Sequence, residues 1–214
     1  MENMLNKEVS IQIKKHLKNM VNGVKIILFT QKNMSNCVHC DETEKLLSEI
    51  SDLSSKIIVE KRKLDSEEAK EYGIKFTPSF VILNQNNEFN GFVFNGIPAG
   101  HEINSFLSAL ITVSGFKQDF DVAVLERINN IKKPVDIKVF VTVSCPHCPG
   151  AVSTAHLLTN KNDYISGAVY DANSFQDLAR KFNVSGVPKI VINDSIELLG
   201  NQPLEEFLKN IETI

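Results

Sequence analysis

Ile137-Lys138-Val139-Phe140-Val141-Thr142-Val143-Ser144-Cys145-Pro146-His147-Cys148-Pro149 is the stretch on which the fold turns. A β-branched and aromatic run of strand length leads into a C-x-x-C pair, and helix-like sequence comes after it. The same order occurs upstream, where Val24-Lys25-Ile26-Ile27-Leu28-Phe29-Thr30 precedes Cys37-Val38-His39-Cys40. These are the only four cysteines among 214 residues. A β–α–β unit with a right-handed crossover makes its two strands parallel and sets the strand–turn–helix at the carboxyl edge of the sheet. Sites in open α/β sheets form at that edge.

Further downstream, Tyr72-Gly73-Ile74-Lys75-Phe76-Thr77-Pro78-Ser79-Phe80-Val81-Ile82 matches Phe182-Asn183-Val184-Ser185-Gly186-Val187-Pro188-Lys189-Ile190-Val191-Ile192. In both, an aromatic residue stands six places before the proline. The proline lies 41 residues after Cys37 in one case and 43 after Cys145 in the other. The chain therefore reads as an internal duplication. Each half runs helix, strand, C-x-x-C helix, strand, helix, then a proline that opens a hairpin and a final helix. Apolar stripes at helical spacing mark the opening helices: Leu5, Val9, Ile13, Leu17 and Met20 in the first half, Val122, Leu125 and Ile128 in the second. Leu46, Leu47 and Ile50 mark the helix after Cys40. The final helices carry Ile103, Phe106, Leu107 and Leu110, and then Leu204, Phe207, Leu208 and Ile211. Periodicity breaks between Ser114 and Asp119, around Gly115. The predicted class is α/β: two tandem domains, 1–116 and 117–214, each a central mixed sheet flanked by helices.

Composition narrows the function. The chain is 43% hydrophobic and 23% charged, which is ordinary for a globular protein. A net charge of −3 gives no case for nucleic acid or an anionic membrane. No apolar run reaches membrane-spanning length, and the Lys- and Asn-rich stretch from Met1 to Met20 does not read as a signal peptide. A cytoplasmic location is the expectation. Cysteine pairs there are more often catalytic or metal-binding than structural.

Dithiol–disulfide exchange needs a thiolate. A helix N-terminus stabilises one through its unpaired N–H groups and the positive end of its dipole. The x-x spacing is expected to put both sulfurs on the first helical turn, the first exposed and the second behind it as the resolving thiol. Cys145 and Cys37 are the expected nucleophiles, and Cys148 and Cys40 their resolving partners. Pro146 suits the start of a helix, where its missing N–H is no loss, and Pro149 is tolerable there for the same reason. His147 and His39, between the cysteines, would favour thiolate over disulfide and so raise the reduction potential. The second site, with both Pro and His, is expected to be the more oxidising. The competing reading is zinc: the two pairs together, or with His39 and His147, could supply a tetrahedral set. Each pair, however, sits in its own complete β–α–β pattern.

Pro78 and Pro188 read in two ways. Each could simply initiate a strand. Each could also follow a cis peptide after Thr77 or Val187, freeing the preceding backbone to pair with an extended substrate.

Taken together, these motifs resemble the thioredoxin superfamily in two tandem copies covering nearly the whole chain. More narrowly they resemble the two-domain, glutaredoxin-like protein disulfide oxidoreductases of thermophilic archaea and bacteria. The segments that carry this are Phe94-Asn95-Gly96-Ile97-Pro98-Ala99-Gly100-His101-Glu102, Val139–Thr142 with Cys145–Pro149, and Val187–Ile192. The resemblance implies reduction, oxidation and isomerisation of protein disulfides at two redox-active sites. Thr77, Pro78, Val187 and Pro188 would bind substrate, and an NADPH-dependent thioredoxin reductase would donate electrons. No cofactor beyond the disulfides is implied.

The chain departs from thioredoxin in having no Trp. Its counterparts of thioredoxin's buried aspartate are Val139 and Gln31 (or Ile27), so that proton acceptor reads as missing. Glu60 could replace it in the first half, although an exposed strand carboxylate is the plainer reading. An insertion falls within Lys32 to Asn36. His16, His101 and His156 read as surface or helix-end residues, with Glu102 favouring a helix dipole. Two other readings stay open. The tandem thioredoxin-like module of alkyl hydroperoxide reductase flavoproteins resembles the second half, but its first copy lacks a C-x-x-C, and no G-x-G-x-x-G fingerprint occurs here. A metal- or iron–sulfur-binding glutaredoxin-like carrier, or a non-catalytic scaffold, is the remaining class.

Overall fold

Val24–Thr30 forms strand β1, buried on both faces as an apolar, β-branched run at the centre of a sheet should be. In the computed structural model, which describes residues 3–31 and 37–214, β1 pairs parallel with β2 (Ile57–Lys63) and antiparallel with β3 (Ser79–Leu83). β4 (Phe92–Asn95) pairs antiparallel with β3. The order is β2-β1-β3-β4. Helices α1 (Lys7–Leu17), α2 (Cys40–Ser51), α3 (Glu67–Glu71) and α4 (Ile103–Val113) complete this part. α2 and α3 pack on β2. The proposed insertion at 32–36 lies outside the described residues.

The second part repeats the plan. β5 (Val135–Val141) pairs parallel with β6 (Ile165–Asp171) and antiparallel with β7 (Lys189–Ile192), and β8 (Ile196–Leu199) pairs antiparallel with β7. The order is β6-β5-β7-β8. The helices are α5 (Val122–Asn129), α6 (Cys148–Thr159), α7 (Gln176–Lys181) and α8 (Leu204–Ile211). α6 lies on β5 and β6.

The duplication extends to helix ends. α3 and α7 both stop at a left-handed residue, Gly73 (φ 66°) and Asn183 (φ 50°). In each case the next amide closes the turn: Ile74 N–H to Ala69 O at 2.8 Å, Val184 N–H to Ala179 O at 2.9 Å. The cores are aromatic. Phe80 stacks on Phe94 at 4.8 Å with Phe106 edge-on at 5.3 Å, and Phe140 lies 5.5 Å from Tyr170 and 5.6 Å from Phe182. Each fully buried Phe contributes about 2–3 kcal/mol of transfer free energy. The residues of the apolar stripes are buried or half-buried with one exception, although Leu5 and Met20 fall outside α1. Val122 is 69% exposed, because it opens α5 next to its N-cap, Asp121, where the helix has not yet met the core.

The chain divides into two units. One holds the described residues up to Phe89, together with Val93–Pro98 and Phe106–Phe116. The other holds Asn90–Phe92, Ala99–Ser105 and Lys117–Ile214. Two short segments written in the first half of the sequence thus belong to the second unit.

Candidate redox sites

Both cysteine pairs are closed as disulfides, Cys37–Cys40 and Cys145–Cys148, each with Cα atoms 5.5 Å apart. The helices start later than the spacing suggests. His39 and His147 are the N-cap residues, so α2 begins at Cys40 and α6 at Cys148. The first cysteine of each pair lies in a turn just ahead of its helix: Cys40 N–H reaches Cys37 O at 3.4 Å, and Cys145 N–H bonds to Thr142 O at 3.0 Å. Pro149 falls in the first turn of α6, where its missing donor costs nothing. The sulfurs still sit at a helix N-terminus, where orphan N–H groups favour an anion. Both cysteines of the second pair are buried, Cys145 at 8% and Cys148 at 0% exposure. So are Cys37 and Cys40, at 4% and 3%. Pro146 and His147 are exposed and His39 is half-buried.

Thr77–Pro78 and Val187–Pro188 are both cis peptides. The Val187 carbonyl oxygen lies 3.7 Å from Cys145 Sγ, so the two residues named from sequence at this site meet. On its far side Pro188 O accepts from Gly200 N–H at 2.8 Å, and in the first unit Pro78 O accepts from Gly96 N–H at 2.9 Å. Thr77 is buried, and its Oγ1 has no protein hydrogen-bond partner among the described residues. Lys189, 3% exposed, anchors the loop before Pro188. Its ammonium donates to the carbonyls of Phe182 (2.6 Å) and Asn183 (3.2 Å) and pairs with Glu197 at 2.7 Å. Lys189→Met leaves two carbonyls and a carboxylate without their cation, and is expected to cost about 2–4 kcal/mol in urea unfolding.

Glu102 is the residue that sequence reasoning missed. It is 5% exposed and lies in a single 3-10 turn, Gly100–Glu102, that packs against α6. His101 N–H bonds to Val143 O at 2.9 Å, two residues before Cys145. Ser105 Oγ is 2.7 Å from Glu102 Oε2, and Oε1 has no protein partner among the described residues. Burial pushes the carboxyl up to about 7, the Ser105 hydrogen bond opposing and the buried Asp171 adding to it. The second unit therefore does contain a buried carboxyl, supplied from Ala99–Ser105 rather than from β5. An acidic residue at a helix start carries no sequence mark of burial. Gly100 (φ 58°), which lets the turn approach Val143, is the one available signal.

Glu60 is not its equivalent. It is about one-third exposed, pairs with Arg62 (2.6 Å) and Lys25 (3.2 Å), and its pKa is held below the usual carboxylate value by those hydrogen bonds. His156 does lie at a helix end, in the last turn of α6, but it is not on the surface. It is 4% exposed, edge-on to Phe92 at 5.3 Å, with Nε2 3.2 Å from the Asn90 amide. Burial lowers its pKa to about 4, which keeps it neutral. It faces inward because α6 is apolar on more than one side, with Val152, Ala155, Leu158 and Thr159 all buried. His16 and His101 are exposed. Among the described residues, no group of three or more His, Cys, Asp or Glu side chains is arranged to hold a metal ion, and no helix is long and apolar enough to cross a membrane.

Two C-x-x-C disulfides, each at the start of a helix and each with a cis-proline in the same unit, define a tandem thioredoxin-fold chain. Comparison with known proteins agrees. Residues 135–213 match the thioredoxin domain family. The F subunit of alkyl hydroperoxide reductase in Staphylococcus aureus is 27% identical over 208 residues, 97% of this chain and 38% of that protein. Its Enterococcus faecalis counterpart superposes with a TM-score of 0.89 at 26% identity, covering 97% of this chain and 99% of the compared one. A protein disulfide oxidoreductase from Aeropyrum pernix shares the fold, with a TM-score of 0.86 at 24% identity over 97% and 92% of the two chains. The chain spans 30–38% of the length of the curated relatives it matches.

Proposed function

We propose that this chain transfers electron pairs between protein thiols and disulfides, with Cys145–Cys148 as the principal site and Cys37–Cys40 as a second one. The observation that carries this is the Cys145 sulfur at a helix start, 3.7 Å from the Val187 carbonyl, in a unit that also buries a carboxyl ionising near neutral pH. In the reduced protein the Cys145 thiolate attacks one sulfur of a substrate disulfide, and the other leaves as a thiolate that takes up a proton. Cys148, deprotonated, then attacks Cys145 Sγ and expels the second substrate thiol. One S–S bond is lost from substrate and one forms in the protein. Glu102, on the turn packed against α6, is the group suited to exchange the Cys148 proton. Thr77, Pro78, Val187 and Pro188 would hold an extended substrate, and His147, Pro146 and His39 would tune the thiolates.

No metal or flavin on these residues is required. A thioredoxin reductase-like protein would supply electrons, protein disulfides would accept them, and the cytoplasm is the fitting compartment. The alternative is an electron-relay module like that of the alkyl hydroperoxide reductase flavoproteins, favoured by the extent of the superposition with the Enterococcus faecalis chain. The Cys37–Cys40 disulfide weighs against it, since the resemblance gives that module no C-x-x-C in its first copy. Dithiothreitol-driven insulin reduction tests the main reading: turnover above the uncatalysed rate supports it, and its absence removes it.

Glu102 gives a pH prediction. Its folded pKa of about 7 stands above the ordinary 4.5. Between those values the native state holds a proton that the unfolded chain releases. The associated stability is complete below about pH 4.5 and is lost as pH rises through 7. The loss by about pH 8 is roughly 3 kcal/mol. Glu102→Gln should flatten that decline in urea titrations. It should also shift the pH dependence of Cys148 ionisation, followed by thiolate ultraviolet absorbance. An unchanged thiolate titration would leave Glu102 a purely structural acid.

A further inference from the structure

A pocket of about 360 Å³ opens beside Val187 in the second unit. It is lined by Thr142, Asn173, Gln176, Arg180 and the loop Ser185–Val187 over a floor that includes Ala179 and Val184. We propose that it is a subsite for the carboxylate of an acidic residue flanking the reacting cysteine of a peptide or protein disulfide, so that the second site selects acidic substrates. The inference rests on the thiol-exchange reading above.

Position is the first support. Val187 belongs both to the pocket and to the cysteine site, through its carbonyl 3.7 Å from Cys145 Sγ. Thr142 does so as well, because its carbonyl accepts from Cys145 N–H. A strand running past Pro188 with its cysteine at Cys145 therefore brings a neighbouring side chain to this opening.

Donor supply is the second. The backbone N–H groups of Ser185, Gly186 and Val187 have no partner among the described residues. With Val187 left to pair with the substrate backbone, the Ser185 and Gly186 amides and the Arg180 guanidinium of the same lining suit an anion better than a neutral group. A Cβ built on Gly186 meets nothing within 4 Å, so the approach is open.

Charge is the third. Arg180 is the only charged side chain in the lining among the described residues. It pairs with Asp177, one turn earlier on α7, with side chains 69% and 97% exposed. Such a pair is weak and screened, so an incoming carboxylate that also takes the loop amides can displace Asp177. The nearby Asp171 does not compete, since its oxygens already accept from Asn173 N–H and Ser174 Oγ.

The test uses three disulfide peptides identical except for one residue flanking the cysteine: Glu, Gln or Lys. They are reduced with dithiothreitol as the electron source, by the full chain carrying Cys37→Ser/Cys40→Ser, so that only the second pair acts. The expected kcat/KM order is Glu over Gln over Lys, with about fivefold between successive peptides. Arg180→Glu, at an exposed helix position, should reverse it. Equal rates for the three peptides would overturn the subsite, as would an order that Arg180→Glu leaves intact. Reduction of none of them would instead remove the thiol-exchange reading on which the subsite depends.

Discussion

Replacing Cys145 and Cys148 together with serine should bring insulin reduction down to the dithiothreitol background, a loss of roughly 10²-fold or more, the scale of a missing covalent nucleophile. Cys37→Ser/Cys40→Ser should lower turnover without abolishing it. The asymmetry comes from the surroundings of each pair. The second unit buries a carboxyl whose pKa is pushed up to about 7, which can both accept and return a proton near neutrality. The carboxylate suggested for the first unit, Glu60, is clamped by Arg62 and Lys25 and its pKa is lowered, so it stays ionised and returns no proton. The residue exposures add to this: Cys145 is the least buried of the four cysteines at 8%. Single variants refine the assignment. Cys148→Ser should accumulate a mixed disulfide through Cys145, visible as a mass increase equal to the bound peptide, whereas Cys145→Ser should not. If the first-pair variant is the one that falls to background, the roles of the two sites are reversed.

Gly100→Ala should be among the most damaging substitutions outside the cysteines. A Cβ at Gly100 would stand 2.2 Å from the Val143 carbonyl oxygen and 3.0 Å from its carbon, on a backbone with φ of 58°. The obstacle is backbone, not a side chain that can rotate away. Adding the left-handed conformation to the forced displacement gives an expected cost of about 2–4 kcal/mol. Gly73→Ala is the control. Its φ is 66° but nothing lies within 4 Å of the new methyl, so only the conformational penalty of about 1 kcal/mol applies. Thermal or urea unfolding of the two variants separates steric from conformational cost. Because Val143 stands two residues before Cys145, Gly100→Ala should also slow exchange at the second pair. Equal destabilisation by both substitutions would contradict the close approach.

Most of the fold was legible because its determinants are local and occur twice. β1 and β5 announce themselves by β-branched runs, and α2 and α6 by the helix-like sequence after the cysteines. The left-handed residues Gly73 and Asn183 fall at matching places, each directly after the C-cap of its helix, Tyr72 in α3 and Phe182 in α7. The cysteines were legible for the same reason, since a C-x-x-C between strand and helix is a short-range pattern. Burial set at long range escaped. Glu102 reads as a residue at the head of a helix, and only the packing of Ala99–Ser105 with the second unit makes it an interior acid. His156 reads as a polar residue near a helix end, and only its neighbours Asn90 and Phe92 make it an interior base. Val122 shows the converse error: an apolar residue in phase with its stripe is left in water because it precedes the point where α5 reaches the core. The start of the C-x-x-C helices falls at the second cysteine rather than the first, because a disulfide-closed turn and a helical first turn look alike in sequence.

The grouping of Ala99–Ser105 with the second unit has a consequence for how this chain can be taken apart. No single scission releases the Cys145–Cys148 unit whole. A fragment starting at Lys117 would keep the sulfurs and both walls of the Arg180 pocket, yet it would leave Glu102 and Gly100 behind in the discarded piece. Transplanting the second repeat into another protein would move its cysteine pair without its buried carboxyl. The sequence is written as two modules, but the second can be inherited intact only with part of the first.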